Sequence, residues 1–116
     1  MVINETKTKY MIINPSRNLQ FVTNLKLNNT LLENVNEIKI LGTTITNDLK
    51  WDRNTEEIVK KANPRMQILH KISAFKPSIE DMKQIYISYV RSILEQSSNV
   101  WHSSLTNKNE EDLERI

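Results

Sequence analysis

The chain has 116 residues, room for one domain of ordinary size, with 38% hydrophobic and 26% charged residues, so a thin core is expected and bulk composition does not suggest disorder. It has no cysteine, which excludes disulfides and thiolate metal sites, and a single glycine, Gly42, which excludes the glycine-rich phosphate loops of the Walker and Rossmann kinds. No apolar run approaches the ~18 residues of a membrane span, and the start, Met1-Val2-Ile3-Asn4-Glu5, is too poor in apolar residues for a secretory signal. A soluble intracellular chain with no membrane partner is expected, with cytoplasm and nucleus equally open.

The net charge of +2 is unevenly spread. Residues 53–76 carry six basic side chains (Arg53, Lys60, Lys61, Arg65, Lys71, Lys76) against Glu56 and Glu57. Residues 77–116 carry four basic against seven acidic ones. The middle block could meet an anionic partner, although charge alone reads first as a solvated helix face.

Taken in chain order, residues 8–14 are β-prone and stop at the turn cluster Asn14-Pro15-Ser16, so they predict a strand. On that strand Lys7 and Lys9 would share one face, since they straddle Thr8. Residues 19–27 place Leu19, Phe21, Leu25 and Leu27 in rough alternation, as in a half-buried strand. Asn28-Asn29 predicts a hairpin turn, because asparagine tolerates positive φ, and Leu31 and Leu32 begin the return strand. Glu37 to Ile45 predicts another strand, with Ile38, Ile40 and Leu41 inward, Lys39 outward and Gly42 marking a bulge or a close backbone approach. Asn47-Asp48 is a further turn signal.

After Trp51 the apolar period changes from two to about 3.6 residues. Ile58, Ala62, Met66, Leu69 and Ile72 make one helix face, with Asn54 and Glu57 in capping-box relation. Pro64 lies inside this run and predicts a kink, or two helices with Pro64 in the first turn of the second. Ser78, with Asp81, caps the next helix, on which Ile79, Met82, Ile85, Tyr86, Tyr89, Ile93 and Val100 give a broad apolar face out to about residue 101. Ser97-Ser98-Asn99 weakens its end. A last helix starts at Asn107, capped by the Asn107 and Glu110 pair, and the chain stops inside it, as a truncated domain would. Strands first and helices after make the fold class α+β, with a small antiparallel sheet over about residues 8–46 and two or three helices over about residues 53–116.

Several segments, in order, carry a resemblance. Asn4-Glu5-Thr6-Lys7-Thr8-Lys9-Tyr10-Met11 is similar to the N-x-x-K-T-K-x-M segment that follows the catalytic strands in non-LTR retrotransposon reverse transcriptases. Ile38-Lys39-Ile40-Leu41-Gly42 resembles the K-x-L-G strand of that family, and Leu49-Lys50-Trp51 its L-x-W. Ile85-Tyr86 with Tyr89-Val90-Arg91-Ser92-Ile93-Leu94-Glu95 resembles its I-Y-x-x-Y-I-R-S-I-L-E helix. Val100-Trp101-His102-Ser103-Ser104-Leu105 and Leu113-Glu114-Arg115 resemble its V-W-H-S-S-L and L-E-R. Each motif is weak alone; together and colinear they span nearly the whole chain.

The resemblance implies that residues 1–52 are the end of the palm and residues 53–116 the start of a thumb, truncated at the C-terminus. It places Lys7 on the lysine of motif D, proposed to assist proton transfer near the incoming nucleotide, and so makes Lys7 a catalytic candidate only within the parent enzyme. It places Ile40, Leu41 and Gly42 on the primer grip. Lys7, Lys9, Lys60, Lys61 and Arg65 are then candidates to contact an RNA or DNA primer–template. Two positions depart from the family: Asn28-Asn29 stands for a more usual Asn-Gly, and Pro64 interrupts a helix usually free of proline. The larger departure is that no Tyr/Phe-x-Asp-Asp turn occurs. The parent chemistry needs carboxylates holding two Mg²⁺ ions about 4 Å apart, so this chain by itself is expected to bind no metal and to catalyse nothing.

Other chemistry finds little support. Glu80-Asp81 and Glu111-Asp112 sit at helix starts and read as first-turn acids rather than metal ligands. His70 and His102 are the only histidines, too few for a zinc site without cysteine. His102-Ser103-Ser104 lacks the acid and oxyanion donors of a hydrolase. Trp51, Trp101, Tyr86 and Tyr89 read as core before they read as base-stacking surfaces. The competing function is an inactive remnant or a protein-interaction module that self-associates through an exposed sheet edge.

Overall fold

The β-prone first half and the helix-periodic second half become two separate compact units in the computed structural model, Met1–Lys50 and Trp51–Ile116, with residues 1–16 and 23–116 described. The expected α+β order holds: short strands, then helices.

Among the described residues the first unit has three two-stranded sheets rather than one. Strand β1 (Lys9–Tyr10) pairs in parallel with β4 (Glu33–Asn34), and Lys9 Nζ lies 2.9 Å from Glu33 Oε2. Strands β2 (Lys26–Leu27) and β3 (Thr30–Leu31) are antiparallel, as are β5 (Glu37–Ile40) and β6 (Thr43–Thr46). One pair is therefore parallel where an antiparallel sheet was expected. The expected strand over 8–14 shortens to two residues, and Leu19 and Phe21 of the expected strand over 19–27 lie outside the described residues.

Asn28 and Asn29 form the predicted turn, with φ of 47° and 66°, the paired left-handed conformation of a two-residue hairpin. The Glu37–Ile45 segment is corrected. It is a hairpin, not one bulged strand, and Leu41-Gly42 is its turn, with φ of 49° and 86°. Gly42 is needed there for its freedom at positive φ, and Ile40 and Leu41 consequently point to solvent, Leu41 being 89% exposed. Thr43 and Thr44, beyond the turn, are buried instead.

The second unit packs around helix α1 (Asp52–Ser73). Of its expected inner face, Ile58, Ala62 and Leu69 are buried and Met66 and Ile72 half-buried. The cap is corrected: Trp51 occupies the N-cap position, Asp52 supplies the first-turn acid, and Asn54 is a buried residue inside the helix. Starting earlier lets α1 bury Asn54 and Thr55 along with its apolar stripe. Pro64 does not divide the helix, which runs unbroken past it; the missing N–H removes one rung of the ladder.

Ser78 caps α2 (Ile79–Ile85) as expected, its Oγ accepting from Asp81 N at 3.1 Å and donating to Asp81 Oδ2 at 2.7 Å. The helix then widens into a π-helical stretch, Tyr86–Arg91, before α3 (Ser92–Leu94). Bonding to the fifth residue instead of the fourth rotates the later side chains out of the α-helical projection. Val90 becomes fully buried, while Ile79, Tyr86 and Val100 of the expected face are exposed. The helix also stops short of residue 101. Ser97 takes φ of 56°, α4 (Ser98–Trp101) starts anew, and the Trp101 indole N–H turns back to donate to Gln96 O at 3.0 Å. Trp101 is 1% exposed and Trp51 8%, so both tryptophans are architectural. The last helix, α5 (Asn107–Glu114), is capped by Thr106, not Asn107: Thr106 Oγ1 accepts from Asn109 N at 3.3 Å.

Candidate functional site

The expected contacts fall on two surfaces, one in each unit. In the first unit Lys7 and Lys9 are exposed but do not share a strand face. Asn4 accepts from Thr6 N at 3.1 Å and starts a single 3-10 turn, Glu5–Lys7, so Lys7 ends a turn while Lys9 sits on β1 beside Glu33. An Asn-x-Thr start is a local capping signal that competes with the strand. The turn is fastened to the β2–β3 hairpin by Glu5, whose Oε1 accepts from Asn28 Nδ2 at 2.6 Å and whose Oε2 accepts from Thr30 Oγ1 at 2.8 Å. The bond from Asn28, then that from Thr30, hold the Glu5 carboxyl below the usual glutamate range. Ile40, Leu41 and Gly42 form the exposed end of the β5–β6 hairpin.

A second turn in this unit is set by Asp48. Its Oδ1 accepts from Thr46 Oγ1 at 2.7 Å and from Lys50 N at 3.1 Å. The Thr46 bond is the main reason that the Asp48 carboxyl lies below its ordinary range. The predicted Asn47-Asp48 turn is thus present.

In the second unit Lys60 and Lys61 are exposed on α1. Arg53, Lys60 and Lys71 recur at separations of seven and eleven residues, two and three helical turns, so they share a face. That face lies opposite the stripe of Ile58, Ala62 and Leu69, which faces the core. Arg53 is within 3.5 Å of Glu56 in an exposed pair, which leaves the face basic but not uniformly so. Arg65 is placed differently. It is half-buried, its Nη1 donates to Tyr89 O at 2.8 Å, and its guanidinium lies 4.6 Å from the Tyr89 ring centroid. Tyr89 was read from sequence as core; it is half-buried and serves as a platform for Arg65. No local spacing signals this pair, because the residues are on different elements.

Lys60 also lines an open groove of about 350 Å³ between α1 and α5. Each wall mixes signs, Asp52, Glu56 and Lys60 from α1 and Lys108 and Asp112 from α5, so it offers no single sign of charge. Asn109, 4% exposed, closes one end by donating to Asp52 Oδ1 at 2.9 Å. Among the described residues no three His, Asp or Glu side chains come together in a way that could hold a metal ion. His70 and His102 are both exposed. Among the described residues no helix is long and apolar enough to cross a membrane. Comparison with protein-family models, curated proteins and solved structures finds no match to this chain.

Proposed function

We propose that this chain is the end of the palm and the start of the thumb of a non-LTR retrotransposon reverse transcriptase, without the catalytic carboxylates, and that its own activity is to hold a primer–template by the backbone. The observation that carries the reading is the solvent face of α1, where Lys60 stands exposed beside Arg53 and Lys71, opposite the buried stripe, with Lys61 exposed on the flank. Ammonium groups on a rigid helix neutralise phosphates without reading bases, so affinity is set by released counterions. The exposed Leu41-Gly42 hairpin end is compatible with a primer grip that works through backbone.

The test is fluorescence anisotropy of a labelled RNA–DNA primer–template. Affinity is expected to fall steeply between about 50 and 200 mM salt. Replacing Lys60 and Lys61 by glutamine weakens binding uniformly across sequences and lowers the salt slope by about one unit per lysine. No binding at the lower salt, or binding indifferent to salt, removes the reading. No nucleotide incorporation is expected from the chain alone.

A second reading rests on the short sheets. Each has two strands among the described residues, so every strand keeps an edge outside a ladder, and such edges pair with other chains. Self-association would appear as concentration-dependent mass in light scattering, and a monodisperse monomer with a sharp melt would count against it.

A further inference from the structure

Arg65 is the one member of the expected basic trio that turns inward, and it does so without a counter-ion. Among the described residues no carboxylate pairs with it. Instead Arg65 is held by a neutral carbonyl and a π-face, both from Tyr89. Tyr89 belongs to the π-helical stretch Tyr86–Arg91, a local form found frequently at functional sites.

That arrangement uses only Nη1. Nε and Nη2 have no hydrogen bond among the described residues, yet neither is buried without a partner, so both reach solvent. They form the side edge of a planar fork whose spacing matches two oxygens of a phosphate. Lys61 stands one turn away on the same helix, exposed. Two like charges at this spacing repel on a bare helix, and an anion between them would remove the repulsion.

We infer that Arg65 and Lys61, with Tyr89 beneath the guanidinium, form a preset seat for one phosphate of a nucleic-acid backbone. The inference deepens the nucleic-acid reading above and rests on it for the source of the phosphate. Tyr89 is a positioning residue: it holds the fork flat and fixes its direction, so little rotamer freedom is lost when the phosphate arrives. Lys61 adds charge. Arg65 adds geometry, which a lysine in its place would not supply.

The seat is tested by following the Arg65 Nε–H resonance of the full chain while titrating an RNA–DNA oligonucleotide, and separately inorganic phosphate, with thermal melts of every variant. The oligonucleotide is expected to shift that resonance to saturation. Tyr89→Leu should weaken binding about two- to fivefold, the size of a partly exposed cation–π contact, whereas Tyr89→Phe, which keeps ring and carbonyl, should bind as the parent does. Arg65→Lys should lower affinity while keeping the salt slope, since charge is retained and the fork is not. If inorganic phosphate alone reproduces the full shift and the oligonucleotide adds nothing, the seat stands and the nucleic-acid reading falls. If the oligonucleotide binds with the expected salt dependence but the Arg65 resonance stays still and Tyr89→Leu binds normally, the seat is overturned and the broader reading survives. Should Tyr89→Leu fail to fold, undiminished binding by Arg65→Lys overturns the seat by itself.

Discussion

Asn109 reaches across 57 residues of sequence to donate its Nδ2 hydrogen to Asp52 Oδ1 at 2.9 Å. The bond ties the first turn of α5 to the first turn of α1. Asp52 thereby does two things: it complements the N-terminal end of its own helix, and it gives a buried amide a charged acceptor. Hydrogen bonds to charged groups contribute more than neutral ones, about 1.5–3 kcal/mol.

Asn109→Ala is therefore expected to destabilise the second unit by about 1–3 kcal/mol, measured by urea denaturation. Asn109→Asp should cost at least as much, because it removes the amide donor and sets a second acidic side chain against Asp52. An Asn109→Ala variant as stable as the parent would mean that the contact contributes nothing net.

Leu41 occupies a left-handed position with an exposed leucine side chain. A residue with a branched apolar side chain is strained there by about 1–2 kcal/mol, and asparagine is the better occupant. Leu41→Asn should thus raise stability by a few tenths to about 1 kcal/mol, and Gly42→Ala should lower it by about 1 kcal/mol. Both are read from the melting of the β5–β6 hairpin signals by nuclear magnetic resonance. An unchanged or lower stability for Leu41→Asn would show that the leucine side chain contributes a contact that outweighs the strain.

The Glu5 latch to Asn28 and Thr30 gives a pH dependence with a defined sign. The folded carboxyl lies below its ordinary range, so the unfolded chain takes up the proton first as pH falls. The contribution is complete above the unfolded glutamate range and is lost as pH falls through the lowered folded value. Amide signals of Asn28 and Thr30 should therefore hold at neutral pH and shift only in acid, below where a free glutamate titrates. Glu5→Gln should remove that transition, and a transition that persists in Glu5→Gln would assign it to another group.

The amino-acid sequence by itself determined the α+β order, the change of period at Trp51, the Asn28-Asn29 turn, the Ser78 cap and the core stripe of Ile58, Ala62 and Leu69. All of these rest on local propensity or on spacing within one element, which a chain carries before it folds. The exposure of Lys60 was legible for the same reason, since it lies opposite that stripe, and Lys61 stands exposed on the stripe's flank. The hairpin turn at Leu41-Gly42 was missed because leucine is a poor left-handed residue, so its neighbourhood reads as one strand. After Ile85 the expected inner face held for Tyr89 and Ile93 but included Tyr86 and left out Val90, because a projection at 3.6 residues per turn fails once the helix widens to π geometry. Only the tertiary structure decided that Lys9 pairs with Glu33 in a parallel register, that Asn109 joins Asp52, and that Arg65 packs onto Tyr89. Those contacts join residues far apart in sequence, and their energy exists only after packing brings the elements within a few ångströms of each other.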